Sequence, residues 1–324
     1  MIWGTRLFSG LFLGWGIGAN DSANIFGAAV ATNSVRYKTA TILIAIFVIL
    51  GSVFEGAKLY HGYNFADTTT TVEMAFICTL GAALTVLTLT YFGLPGSTSQ
   101  AAVGGVMGIA ILSSGMGGAN WEKLGEWACC WLLNPLGSAV VAFLCIRFVG
   151  PLIQRFVRNI GLLNMIYKTG LVVFGCYGAY SLGANNVVVT TGPFFQAGLF
   201  GDPSLHSVAV VAAAVGGVSI AIGALTYSKK VMMTVGKGIT ALDPFSALVA
   251  VLAHSLAMHF FTQLHVPVSS SQAIVGAVAG VGLSKGMRTV NSKMLWSIII
   301  AWVLTPVAAA ILSLLLALLF GVNN

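Results

Sequence analysis

Residues 18–24 read Gly18-Ala19-Asn20-Asp21-Ser22-Ala23-Asn24, and this polar stretch lies inside an apolar segment that runs from about residue 7 to residue 31. An ionised Asp at the centre of a membrane helix costs about 2.5–3.5 kcal/mol on insertion scales, which makes such a residue a candidate for function. Gly18 and Ala19 are expected to let the backbone bend and to free carbonyl groups, which membrane helices tolerate where they line a cavity. The stretch therefore predicts a broken helix with a polar site at its centre.

The composition indicates a membrane protein. Of 324 residues, 57% are hydrophobic and 7% are charged, and the mean hydropathy is +0.94. Soluble domains average about 25% charged residues, and membrane β-barrels alternate apolar with polar residues, whereas the apolar runs of this chain are continuous. We therefore predict an all-α polytopic membrane protein. Its apolar segments are 7–31, 40–57, 74–92, 96–113, 127–149, 168–197, 207–227, 241–262, 267–283 and 294–320.

Two motifs occur twice, in the same order. The sequence Gly-Ala-Asn-Asp at 18–21 matches Gly-Ala-Asn-Asn at 183–186, and Pro-Gly-Ser-Thr-Ser-Gln at 95–100 matches Pro-Val-Ser-Ser-Ser-Gln at 267–272. Paired motifs of this kind are typical of transporters built from two repeats. We predict a first repeat at 1–160, with a broken helix at 7–31 and a hairpin at 74–113. The second repeat is 161–324, with a broken helix at 168–197 and a hairpin at 241–283.

Most Lys and Arg residues fall in four loops, and basic loops are cytoplasmic by the positive-inside rule. These residues are Arg36 and Lys38; Arg147, Arg155, Arg158 and Lys168; Lys229, Lys230 and Lys237; and Lys285, Arg288 and Lys293. All four loops face the cytoplasm if each half crosses the cell (inner) membrane an odd number of times. The second half is then inverted relative to the first, and both termini lie outside.

An odd number of crossings is reached by five full spans per half, or by three spans and a re-entrant helical hairpin. We favour the hairpins, because a short loop with a central proline suits a tip that is buried in protein. Their tips then bring Ser97-Thr98-Ser99 and Ser269-Ser270-Ser271 near the midplane. Hydroxyl residues at a helix start often serve only as caps. Two inverted helix N-termini aimed at one point would also bind an anion without Lys or Arg.

An anion beside Asp21 is repelled unless a cation is present. The side-chain oxygens of the motif residues form a hard oxygen set that suits Na⁺, and each ion then favours binding of the other, as a symporter requires. Gln100 and Gln272 either complete these sites or cap the tips. The residues of the oxygen set are Asp21, Asn20, Asn24, Asn185 and Asn186.

On these motifs the chain resembles the inorganic phosphate transporter (PiT) family over nearly its whole length. The resemblance implies uptake of phosphate coupled to sodium or protons, an inverted-repeat fold and a homodimer. The family usually has an Asp at Asn186 and His at the Gln100 and Gln272 positions, and the loss of titratable His favours sodium over protons. An acid begins the first hairpin in the family, as Glu73 does in this chain, whereas the second hairpin offers Phe245 at the matching position and Asp243 nearby.

These considerations give a hypothesis for each site. We assign the cation site, with Na⁺ at Asp21, to Asp21, Asn20, Asn186 and Glu73. We assign the phosphate site to Asn24, Thr98, Ser99, Gln100, Asn185, Ser270, Ser271 and Gln272.

The leading functional hypothesis is a sodium-coupled phosphate symporter that works by alternating access. The alternative is a proton- or sodium-coupled sulfate permease of the same fold. A channel would need a continuous polar pore face, and an enzyme would need a partnered nucleophile or metal motif, neither of which the sequence contains. The expected partners are inorganic phosphate, Na⁺, the lipid bilayer and a second copy of the chain. No cofactor other than the coupling ions and no nucleic acid is expected.

Overall fold

Two successive runs of helices form the protein, and the second repeats the order of the first. The computed structural model describes residues 3–63, 71–238, 242–286 and 292–322, and within these ranges the regular elements are helices. The first run comprises α1 (Trp3–Asp21), α2 (Ala23–Ala31), α3 (Tyr37–Phe54), α4 (Val72–Phe92), α5 (Thr98–Ser114), α6 (Trp121–Leu144) and α7 (Gly150–Phe156). The second comprises α8 (Ile160–Asn186), α9 (Val188–Gln196), α10 (His206–Tyr227), α11 (Lys229–Gly238), α12 (Pro244–Gln263), α13 (Ser270–Lys285) and α14 (Ser292–Leu319).

The predicted class of all-α polytopic membrane protein is confirmed. Eight helical stretches of the described chain are long and apolar enough to cross a membrane. They are Tyr37–Phe54, Val72–Phe92, Thr98–Gly118, Trp121–Phe156, Ile160–Gln196, His206–Tyr227, Pro244–Gln263 and Trp296–Leu319. Each of the ten predicted apolar segments corresponds to a helix or to a pair of consecutive helices. Three short helices lie outside those segments or only touch their ends. They are α7, α11 and a 3₁₀ helix at Gly56–Gly62.

Several helices of each half pack on helices of the other half. Helix α1 packs on α10 and α8 packs on α3, while α5 packs on α14 and α13 packs on α6. Within each half the arms of a hairpin pack together, α4 on α5 and α12 on α13. This exchange is expected for two copies of one fold related by an approximate two-fold axis. It fits the predicted inverted repeat, although the boundary at residue 160 and the opposite membrane orientation of the halves stay predictions.

The two broken helices are interrupted at a single residue. Helix α1 continues through Gly18 and Ala19 to Asp21, and Ser22 keeps helical dihedrals of φ −58° and ψ −25°. Val187, between α8 and α9, has φ −62° and ψ −34°. The expectation that Gly18 and Ala19 bend the backbone is therefore wrong. Gly18 instead permits close packing, since a Cβ built on it would lie 1.8 Å from the carbonyl oxygen of Ile220 on α10.

The hairpin tips are the segments 93–97 and 264–269. Helices α5 and α13 begin at Thr98 and Ser270, two or three residues later than the apolar pattern predicted, because a serine caps each of them. The Ser97 hydroxyl accepts a hydrogen bond from the Gln100 amide at 3.4 Å, and the Ser269 hydroxyl accepts one from the Gln272 amide at 3.3 Å. The tips therefore present the first turns of α5 and α13 to the interior.

We expect the contact between α13 and α6 to be intolerant of a side chain at Gly276. A Cβ there would lie 2.1 Å from the carbonyl oxygen of Pro135, and a backbone atom cannot move aside cheaply. Gly276→Ala should therefore lower the free energy of unfolding by about 1–3 kcal/mol, as overpacking does. Thermal unfolding of the purified protein in detergent measures this change.

Gly137→Ala on α6 is the matched control, because nothing lies within 4 Å of a Cβ built at that position. Its melting temperature should equal or exceed that of the wild type, since Ala favours a helix over Gly. Equal melting temperatures for the two variants would contradict this view of the contact.

Candidate functional site

An asparagine side chain holds the tip of the first hairpin. Asn20 Nδ2 donates to Thr90 Oγ1 at 3.0 Å and to the Leu94 carbonyl oxygen at 3.0 Å, and Asn20 Oδ1 accepts from the Gly96 amide at 3.1 Å. Both amide hydrogens and the oxygen are engaged with the hairpin. The structure therefore does not place Asn20 as a ligand beside Asp21, and its contacts make it a residue that fixes the tip to α1.

The second hairpin is held in the same way. Asn185 Nδ2 donates to Thr262 Oγ1 at 3.1 Å and to the Val266 carbonyl oxygen at 3.0 Å, and Asn185 Oδ1 accepts from the Val268 amide at 2.8 Å. Asn185, assigned to the phosphate site from the sequence, thus uses its polar atoms on the tip instead. The two asparagines set the positions of the first turns of α5 and α13.

Next to the first of these asparagines, Asp21 is the point where the two halves meet. Asp21 is only 1% exposed. Thr98 Oγ1, at the start of α5, donates to Asp21 Oδ2 at 2.6 Å, and Asn186 Nδ2, at the end of α8, lies 3.5 Å from the same oxygen. Asn24 Nδ2 lies 3.5 Å from Asp21 Oδ1. One carboxylate therefore contacts residues from α2, α5 and α8.

Asn24 extends this cluster to the second tip. Its Nδ2 also donates to Ser270 Oγ at 3.2 Å, in the first turn of α13. A chain of contacts thus runs from Thr98 through Asp21 and Asn24 to Ser270 and joins the two hairpin tips. The structure brings together five of the residues that the sequence assigned to the two sites, namely Asp21, Asn24, Thr98, Asn186 and Ser270.

Several oxygen atoms around this chain of contacts have no hydrogen-bond partner among the described residues, although they are buried. Buried polar atoms without partners are rare and cost about 1–3 kcal/mol each, so a cluster of them indicates a ligand site. The Ser271 hydroxyl differs, because it contacts the Ser269 hydroxyl at 2.9 Å. The unpartnered atoms are Asn24 Oδ1, Asn186 Oδ1, Ser99 Oγ, Gln100 Oε1, Gln272 Oε1 and Ser22 Oγ.

The charges of the site are unbalanced. Among the side chains that the structure describes, Asp21 is the only buried acid, and no Lys or Arg is buried. The first turns of α5 and α13 supply partial positive charge and backbone N–H groups instead. The site can therefore hold an anion at the helix starts and a cation at the carboxylate.

Glu73 lies far from this cluster. It is exposed in the first turn of α4, where it lines a surface pocket of about 320 Å³ together with Arg6. Twenty residues of helix separate it from the tip that Asn20 holds, which is about 30 Å at 1.5 Å per residue. The structure therefore does not bring Glu73 to the cation that Asp21 would bind.

The acid of the second hairpin is equally remote and is already paired. Asp243 caps α12 and receives hydrogen bonds from Lys285 and from the Ser246 hydroxyl, the latter at 2.7 Å. Partial burial by itself would raise the pKa of Asp243, but the hydrogen bonds from Lys285 and Ser246 outweigh it and lower the pKa to about 2. Asp243 thus joins the two arms at the open end of the second hairpin.

Two groups of residues at the site were not predicted from the sequence: two threonines and a histidine. Thr90 and Thr262, which receive the asparagine side chains, are separated by the same interval as Thr98 and Ser270, so the repeat contained a signal for them. His254 is fully buried on α12, and its Nε2 lies 2.9 Å from Ser270 Oγ. The corresponding residue of the first half is Ala82, so the repeat contained no signal for His254.

Comparison with known proteins agrees with the fold and with these motifs. A model of the Phosphate transporter family matches residues 17–161 and again residues 161–313. A protein of Methanocaldococcus jannaschii named "Putative phosphate permease" is 30% identical over 301 residues, with 93% of this chain and 92% of that protein covered. The Arabidopsis thaliana protein named "Inorganic phosphate transporter 2-1, chloroplastic" is 26% identical, with 95% of this chain and 70% of that protein covered.

A solved structure has the same fold. It is described as "The sodium-dependent phosphate transporter" and superposes with a TM-score of 0.89 at 21% sequence identity, with 99% of each chain covered. The family is one of transporters, in agreement with the expectation that the protein is not an enzyme. Because the family model covers both halves, the chain belongs to the phosphate transporter family.

Proposed function

We propose that the protein is a symporter that carries inorganic phosphate together with sodium across the cell membrane by alternating access. Phosphate follows from the family. Sodium is supported by the oxygen-rich cluster around Asp21 and by the name of the solved structure with the same fold. The observation that carries the proposal is the chain of contacts that joins Thr98, Asp21, Asn24 and Ser270.

The anion is assigned to the first turns of α5 and α13. The first four N–H groups of a helix have no intrahelical acceptor, and the capping serines accept only from Gln100 and Gln272 among them. The N–H groups of residues 98, 99, 270 and 271 are therefore free to donate to an oxyanion, together with the Ser99 hydroxyl. Helix N-termini bind phosphate in this way without a basic side chain.

The cation is assigned to Asp21. Asn24 Oδ1 and Asn186 Oδ1 are buried, lack partners in the described chain, and belong to side chains that already contact the carboxylate. A carboxylate with two amide oxygens is a hard donor set that fits Na⁺. Sodium there neutralises the charge that would repel the anion, so each ion raises the affinity of the other by the same factor.

Alternating access is supported by the burial of the site and by the repeat. Thr98 and Ser270 are each 1% exposed. An ion can reach them only if the packing on one side opens, which argues against a channel. Transporters with paired repeats open by moving one set of elements against the other around a fixed site, and the exchanged helix packing provides two equivalent sets.

Phosphate is favoured over sulfate by the hydrogen bonding of Thr98. Its hydroxyl proton is donated to Asp21, so its oxygen faces the site as an acceptor. A protonated phosphate can donate to this oxygen, whereas sulfate has no proton to donate at neutral pH. Competition between sulfate and phosphate for uptake distinguishes the phosphate symporter from a sulfate permease of the same fold.

The membrane orientation of the protein is assigned from the charges of its loops. We assign the protein to the cell (inner) membrane with the four basic loops in the cytoplasm and both termini outside, as the distribution of Lys and Arg indicates. Arg288, in the last of these loops, lies outside the described residues. The homodimer implied by the family resemblance is part of the same proposal.

We expect Asp21→Asn to abolish the dependence of phosphate uptake on sodium and to reduce uptake at least tenfold, since the cation loses its charged ligand; tenfold corresponds to about 1.4 kcal/mol. Asp202→Asn is the matched control, because Asp202 is an exposed loop acid whose side chain accepts a hydrogen bond from the nearby Ser204 amide. Uptake into proteoliposomes with and without a sodium gradient is the measurement. Sodium-driven uptake by Asp21→Asn at the wild-type rate would refute the cation site.

We expect sulfate to compete poorly with labelled phosphate, because it cannot donate to Thr98. In the same proteoliposomes, with phosphate near its KM, an excess of sulfate of about 100-fold should leave phosphate uptake within about twofold of its uninhibited rate, because sulfate should bind at least about 50-fold more weakly. Thr98→Val, which removes the acceptor, should lower phosphate uptake. Strong inhibition by equimolar sulfate, with sulfate itself accumulated, would instead favour the sulfate permease.

A further inference from the structure

His254 is a buried polar group that the proposed function does not yet use. It lies on α12 and is fully buried, and its Nε2 atom lies 2.9 Å from Ser270 Oγ. Its Nδ1 atom has no hydrogen-bond partner among the described residues. Because the first half has Ala82 at the corresponding position, this contact distinguishes the second tip from the first.

The protons at Ser270 can be counted. A serine hydroxyl has one proton and two lone pairs. Asn24 Nδ2 faces a carboxylate oxygen of Asp21, which only accepts, so this atom is the amide nitrogen and donates to Ser270 as well. One lone pair of Ser270 is thereby engaged. The contact with His254 engages either the second lone pair or the proton, and the tautomer of His254 decides between them.

We propose that His254 carries its proton on Nε2, donates it to Ser270 Oγ, and so leaves the Ser270 proton for the bound anion. His254 is then a positioning residue of the phosphate site, and this role rests on the proposed function. The opposite tautomer would bury an Nδ1–H donor without an acceptor, which proteins rarely do. It would also direct a lone pair of Ser270 toward an anion at the start of α13.

The two tips then present opposite groups to the site. Thr98 gives its proton to Asp21 and faces the site as an acceptor, whereas Ser270 accepts from Asn24 and His254 and faces the site as a donor. A phosphate that carries one P–OH group satisfies both tips at once. His254 therefore contributes to selection of a protonated oxyanion without touching it.

The test is the KM for phosphate in sodium-driven proteoliposome uptake. His254→Leu removes the donor, and the KM should rise about tenfold, as expected when one hydrogen bond to a charged group is lost. The maximal rate and, at saturating phosphate, the sodium concentration for half-maximal uptake should change less than about twofold, because Asp21 is untouched. His254→Gln places an amide N–H near the position of Nε2, and its KM should stay within about threefold of the wild type.

A double-mutant cycle separates positioning from general packing. If His254 acts through Ser270, then His254→Leu should not raise the KM further in a Ser270→Ala background. His259→Gln is the matched control, because His259 is on the same helix but is partly exposed and pairs with Glu55 and Gln263. Its KM should equal that of the wild type. Should the leucine variant not fold, His254→Asn replaces it, since its shorter amide does not reach Ser270.

Additive effects of the two substitutions, an unchanged KM in His254→Leu, or a Gln variant as impaired as the Leu variant would each overturn the assignment. These results leave the proposed function intact if Asp21→Asn still loses sodium-driven uptake. Wild-type uptake by both Asp21→Asn and Ser270→Ala would instead refute the proposed location of both ion sites.

Discussion

The carboxylate of Asp21 is the constraint on which the arrangement of the site depends. It is buried, and no Lys or Arg is buried with it among the described side chains. A charge in such a place must be stabilised by hydrogen bonds and by an ion. The available donors come from α2, α5 and α8, that is, from both halves of the chain. Stabilising one acid therefore requires the two repeats to meet at one point.

Two further features make that meeting possible. Asn20 and Asn185 fix the hairpin tips, each with three hydrogen bonds to a threonine and to the tip backbone. Small residues let the helices approach closely, as Gly18 does against α10 and Gly276 does against α6. In a bilayer, helices associate through such close packing and through interhelical hydrogen bonds rather than through the hydrophobic effect. The positions of α5 and α13 are thus set by contacts that lie outside the proposed ion sites.

The repeat explains how much of the site could be predicted from the sequence. The paired motifs identified the tips, and the cost of burying a charge in lipid indicated Asp21, so the meeting of both tips at the cluster around Asp21 and Asn24 could be foreseen. The roles of Asn20 and Asn185 could not be foreseen. An amide side chain at this position can serve equally well as an ion ligand or as a hydrogen-bond partner of the hairpin tip. Only the distances to Thr90 and Thr262 distinguish the two roles. Glu73 was assigned through the family resemblance, which carries no information on the length of α4.

Other features were not predicted because they depart from the internal repeat or from the apolar pattern of the sequence. His254 has no counterpart in the first half, so the repeat could not indicate it. Helix α11 is short and basic and was predicted as a loop, yet it packs on α2, and Lys230 donates to the Tyr91 carbonyl oxygen near the end of α4. The first broken helix was expected to bend at Gly18 and Ala19, but close packing with α10 explains Gly18 instead. In each case a tertiary contact decided the outcome, and local sequence does not encode such contacts.

The most direct measurement is a crystal structure of the protein with phosphate and sodium bound. We expect the anion between the first turns of α5 and α13, within hydrogen-bonding distance of the Ser99 and Ser270 hydroxyls, and a cation on the carboxylate of Asp21. An anion held by Lys or Arg, or one bound away from both tips with Asp21 free of any cation, would contradict this expectation.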